Sequence, residues 1–75
     1  MIQLFRITIH WTNQFTTFEL RHLEGHQAKS IYKNLDMAMA DKTVVNIYSN
    51  GIDYLINTNN ISYVEYFKDV LVEEK

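Results

Sequence analysis

Apolar residues along the chain follow two different spacings. Over residues 4–11 (LFRITIHW) they recur at every second position, with Phe5, Ile7, Ile9 and Trp11 on one face and Leu4, Arg6, Thr8 and His10 on the other. Period two with β-branched and aromatic side chains predicts a half-buried strand. A second run of this kind covers Phe15 to His22, after a polar break at Asn13-Gln14. A two-residue turn at that break sets Ile9 opposite Phe18 and Ile7 opposite Leu20, so both strands of the hairpin bury the same side. Past Glu24-Gly25 the spacing changes. Ala28, Ile31, Tyr32, Leu35, Ala38 and Met39 recur at three and four residues while Lys29, Lys33, Asp36 and Asp41 turn away. That pattern predicts one amphipathic helix over residues 26–41.

Residues 44–48 (VVNIY) then lead into Asn50-Gly51, a pair suited to a type I′ turn because both central positions need positive φ. Counting outward sets Ile47 opposite Tyr54 and Val45 opposite Ile56. The other face takes Tyr48 beside Asp53, Asn46 beside Leu55 and Val44 beside Asn57. A polar stretch over residues 57–60 precedes one more strand, Ile61 to Phe67. Pairing it with its predecessor, Ile56 against Ile61 and Tyr54 against Tyr63, sends Val64 and Tyr66 to the face that carries Tyr48. Residues 68–75 fit a strand or a short helix equally well. The predicted fold class is α+β: ββαββ(β), one largely antiparallel sheet with a single helix packed on one face, in a single domain of residues 1–75. This element order resembles the β-grasp fold of ubiquitin-like and immunoglobulin-binding bacterial domains, with a helix-interrupted meander as the rival arrangement. Neither brings a function with it.

Composition narrows the setting. At 75 residues and 47% hydrophobic, without proline, the chain is too apolar for a disordered segment and short for a thick core. It has no cysteine, so neither disulfides nor thiolate-bound zinc hold it together, and a cytoplasmic setting is expected. The first residues lack a basic n-region, and Arg6 and Thr8 break the apolar run, so neither a secretory signal nor a membrane span is expected.

Catalytic patterns are missing. His22 and His26 have the spacing of a helical zinc pair, but Gly25 lies between them and no carboxylate completes an H-E-x-x-H motif. Ser30, Ser49 and Ser62 stand in no nucleophile motif, the two glycines are isolated, and a domain this small leaves little room for a pocket. The chain is therefore expected to bind rather than catalyse, without cofactor or metal.

Two surfaces are candidates for that binding. Val44, Tyr48, Leu55, Val64 and Tyr66 form the first. A sheet covered by a helix on one side normally keeps its other face polar, and an exposed apolar patch rimmed by polar groups marks an interface. The expected occupant is another protein, either a different one or a second copy in a homodimer, docking on this face or by strand addition at an unpaired sheet edge. The second surface centres on Arg6 and Arg21, opposite each other in the hairpin register, where like charges repel. Glu19 lies diagonally near enough to relieve them; the functional alternative is an anion held between the two guanidinium groups. That alternative makes the chain a nucleic-acid or polyanion-binding domain using its basic N-terminal hairpin. A net charge of −2, with the acidic excess in the second half, argues against it.

The Asn-, Ile- and Tyr-rich composition is similar to that of small orphan proteins of phages and prophages in low-GC Gram-positive bacteria. The resemblance implies a phage-encoded modulator or inhibitor of one host protein, acting in the host cytoplasm. It covers no motif and assigns no residue.

Overall fold

Strand β1 (Ile2–Trp11) is hydrogen-bonded along both edges, to β2 (Thr17–Leu23) on one side and β5 (Ile61–Val72) on the other, antiparallel in each case. The computed structural model describes residues 1–73. Between β2 and β5 the chain forms helix α1 (Gly25–Asp41), strands β3 (Val44–Ser49) and β4 (Ile52–Asn57), and a single 3-10 turn, Thr58–Asn60. The α+β class and the ββαββ(β) order follow the sequence pattern, and every strand pairing is antiparallel. The strands divide into a three-stranded sheet, β2-β1-β5, and a separate hairpin, β3-β4.

The core lies between two layers. Ile7, Ile9, Leu20 and Leu23 face inward from the three-stranded sheet. Opposite them, α1 supplies Ala28, Ile31, Leu35 and Ala38, and the second hairpin supplies Val45, Ile47 and Ile56. The helical stripe is the predicted one, with Tyr32 and Met37 at its exposed margin. Phe5 reaches the start of α1: a Cβ on Gly25 would come within 3.3 Å of its ring. That position excludes a larger residue unless Phe5 moves.

Local turn chemistry sets most of the register. Asn50 and Gly51 have φ of 53° and 80°, the two positive values a type I′ turn requires. The β3–β4 ladder counts outward from them as expected, Ile47 to Tyr54 and Val45 to Ile56. In the first hairpin Ile9 faces Phe18 and Ile7 faces Leu20, also as expected. Its connection is longer than two residues, however: the ladder ends at His10 and Thr17, and Phe15 is exposed. Nearer the helix a β-bulge sets Arg21 and His22 against Arg6, with His22 at φ 60°.

The pairing of the last strand differs from the expected one. β5 does not continue the second hairpin; it crosses to β1, setting Ile7 opposite Tyr66 and Ile9 opposite Val64. Length gives the reason. β5 has 12 residues, β1 has 10 and β4 only 6, so beside β4 half of the β5 backbone would find no ladder partner, whereas beside β1 nearly all of it does. The 3-10 turn makes the crossing. Buried Thr58 donates its backbone N–H to the Thr43 carbonyl (3.3 Å) and sets its hydroxyl 3.1 Å from the Ala38 carbonyl, while Thr12 N–H donates to the Asn60 carbonyl (2.9 Å). The segment 68–75, open to either strand or helix by its pattern, is strand as far as Val72; residues 74 and 75 lie outside the described residues.

Helix α1 ends in a Schellman arrangement, with Thr43 N–H donating to Ala38 O (2.9 Å) and Lys42 N–H to Met39 O (3.3 Å). Lys42 occupies the left-handed region, φ 55° and ψ 46°, where an L side chain costs energy and glycine does not. Lys42→Gly is therefore expected to stabilise the fold by about 0.5–1 kcal/mol after allowing for glycine's freer unfolded chain. Thermal denaturation should show this as a rise in Tm of roughly 4 °C for a domain of this size; an unchanged or lower Tm contradicts the strain argument.

Candidate functional site

The outer face of the second hairpin results directly from its alternation. With Val45, Ile47 and Ile56 committed to the core, Val44, Tyr48 and Leu55 point the other way and are 53%, 61% and 75% exposed. Their cross-strand neighbours on that face are Asn57, Asp53 and Asn46, which give the apolar group a polar rim.

Val64 and Tyr66 do not belong to this face. The expected pairing of β5 with β4 would have placed them there. Paired instead with β1, they share the inward side of Ile9 and Ile7 and pack half-buried against the core. The Tyr66 ring lies 5.4 Å from those of both Phe5 and Tyr32. The five-residue surface therefore divides, three residues outside and two beneath the helix.

Arg6 and Arg21 do converge, on the polar face of the three-stranded sheet, and a carboxylate of the same chain sits between them. Asp69 Oδ1 lies 3.7 Å from Arg6 Nη2, and Asp69 Oδ2 lies 3.7 Å from Arg21 Nε. The Asp69 side chain is only 8% exposed. Arg6 also pairs with Glu19 at 3.4 Å, and its guanidinium lies 4.7 Å from the centre of the Phe67 ring, within cation–π range. At 3.7 Å the Asp69 contacts are ion pairs rather than hydrogen bonds, and Asp69 Oδ2 and Arg6 Nε have no hydrogen-bond partner. Further along this face His10 stacks on Tyr63 at 4.1 Å and pairs with the Glu65 carboxylate. His22 and His26 are exposed, and among the described residues no group of three histidine or carboxylate side chains could hold a metal.

No protein-family model, curated protein or solved structure matches the chain.

Two further features lie outside the surfaces expected from the sequence. An open cleft of about 550 Å³ lies between the first hairpin's connection and β4, walled by Trp11, Phe18 and Tyr54. Its walls come from segments some forty residues apart, so no local pattern announces it. Exposed Ile2, Val70, Leu71 and Val72 also gather at the far end of the β1–β5 ladder, where Ile2 pairs with Val72. The consecutive apolar residues 70–72 are the signal for that patch, but their strand phase depends on β1. Among the described residues no helix is long and apolar enough to cross a membrane.

The position of Asp69 generates a test. Asp69→Ala leaves two partly buried guanidinium groups facing each other, and is expected to lower stability by about 1–3 kcal/mol, since both arginines keep some solvent contact. Sulfate should then recover more stability in the variant than in the unmodified chain, measured by urea denaturation in sulfate and in chloride at matched ionic strength. Equal stability of the two chains, or equal response to sulfate, contradicts the assigned role.

Proposed function

We propose that this chain is a non-catalytic protein-binding module that docks through the outer face of its second hairpin, on Val44, Tyr48 and Leu55. One observation carries the reading: on one face of the hairpin three large apolar side chains are more than half exposed, while Val45, Ile47 and Ile56 on the opposite face are already buried. Among the described residues nothing of the chain packs over them. Covering them removes apolar area from water at roughly 25 cal/mol per Å², and tyrosine is among the residue types that most often dominate such interfaces. The partner is another protein, either a different one or a second copy. A phage-encoded modulator of a host protein is the biological setting that the composition suggests for such a module.

The polyanion reading rests on weaker ground. A phosphate chain docking at Arg6 and Arg21 has to displace Asp69, which both arginines already face, and that displacement costs much of what the new contacts contribute.

The double variant Tyr48→Ser/Leu55→Ser is expected to weaken partner capture at least roughly tenfold, as loss of interface anchors does, while its circular dichroism spectrum stays unchanged. Affinity capture from a host lysate, compared between the two chains, measures the loss. Light scattering over a concentration series identifies a second copy as the partner. Equal capture by both chains, without self-association, sinks the proposal.

A further inference from the structure

We propose that the cleft bounded by Trp11, Phe18 and Tyr54 is a binding site for a neutral carbohydrate; it adjoins the protein-docking face, sharing Leu55 and Asn57 with it, but excludes Tyr48 and Val44. Its volume of about 550 Å³ is within the range of small-molecule sites. None of its lining residues is charged, although charged residues make up 21% of the chain. A phosphorylated, carboxylated or cationic ligand would therefore leave water for a site offering no counter-charge. What the cleft does offer is carboxamides, from Asn13, Gln14, Asn57 and Asn60. Each carboxamide both donates and accepts hydrogen bonds, as each sugar hydroxyl does.

The aromatic walls do not favour a nucleobase sandwiched between two rings. A base is held most firmly by stacking flat on a ring, or between parallel rings. Phe18 and Tyr54 instead meet edge to face, 4.9 Å apart at 64°, so the two rings form a corner and leave no parallel slot. A corner suits a ring with C–H groups on two sides and hydroxyls around its edge. All three aromatic side chains are half-buried, leaving part of each available.

The walls are held in place without ligand. Thr12 bonds the Asn60 carbonyl through both its N–H (2.9 Å) and its hydroxyl (3.3 Å), tying the two rims together. The Asn57 side chain accepts from Asn59 N–H at 3.0 Å, and Thr58 fastens the same turn to the end of α1. Little ordering cost is left to be met on binding.

Trp11 is the single tryptophan and lines the cleft, so intrinsic tryptophan fluorescence reports on ligand binding there. The whole chain would be titrated with maltotriose, cellotriose and chitotriose, with adenosine as the contrasting ligand. The expected result is a saturable change with at least one trisaccharide and none with adenosine. Asn13→Ala and Asn60→Ala should each weaken that affinity about tenfold, as one lost hydrogen bond does, without lowering Tm. Tyr48→Ser should leave the titration unchanged, which keeps the fate of this site distinct from that of the docking face. No saturable change with any of the three sugars, a response to adenosine equal to theirs, or full affinity in both asparagine variants overturns the assignment.

Discussion

The hydrogen bonding of β1 along both of its edges is the constraint on which the rest of the molecule depends. A central strand has one side-chain phase, and both neighbours must adopt it. Ile7 and Ile9, fully buried, show which face was chosen. A slip of one residue would put Arg6, Thr8 and His10 into the core in their place. Because β5 takes its phase from β1, Val64 and Tyr66 turn inward, and Glu65, Phe67 and Asp69 turn outward beside His10 and Arg6. The ion pairs of the polar face and the aromatic contacts under the helix thus follow from one ladder.

That arrangement separates the surfaces by chemistry. The outer face of the three-stranded sheet gathers Arg6, Arg21, Glu19, Asp69, His10 and Glu65, with cations and carboxylates set against one another. Its charges are largely committed to their own neighbours. The inner face is consumed by the core. Among the described residues three regions remain without such commitments: the hairpin's outer face and the Ile2, Val70, Leu71 and Val72 end of the β1–β5 ladder, both apolar and exposed, and the cleft at the end of the layers, aromatic and neutral. A thin core contributes to this division, because a chain of 75 residues cannot cover both sides of a second hairpin.

Elements governed by contacts between near neighbours in the chain are legible in the amino-acid pattern itself. Period two marks β1 and most of β2, period 3.6 marks α1, and Asn50-Gly51 sets the whole β3–β4 register. Val44, Tyr48 and Leu55 fall on the expected face for the same reason, since a two-residue turn leaves no freedom in counting outward. The convergence of Arg6 and Arg21 is legible as well, with Glu19 beside Arg6, though not Asp69 between them.

What the local pattern does not contain is the choice of partner for β5, from which the misplacement of Val64 and Tyr66 stems. Alternation states that a strand has two faces; it does not state which remote strand will supply the other half of the ladder. That choice depends on matching the lengths of β1 and β5, and on the tie between Thr58 and the end of α1. It moves Val64 and Tyr66 inward, brings Asp69 between the arginines, and sets Trp11 and Phe18 across from Tyr54 to open the cleft. Side-chain period and turn geometry are properties of a short segment, whereas strand pairing is decided by satisfying backbone hydrogen bonds over the whole chain.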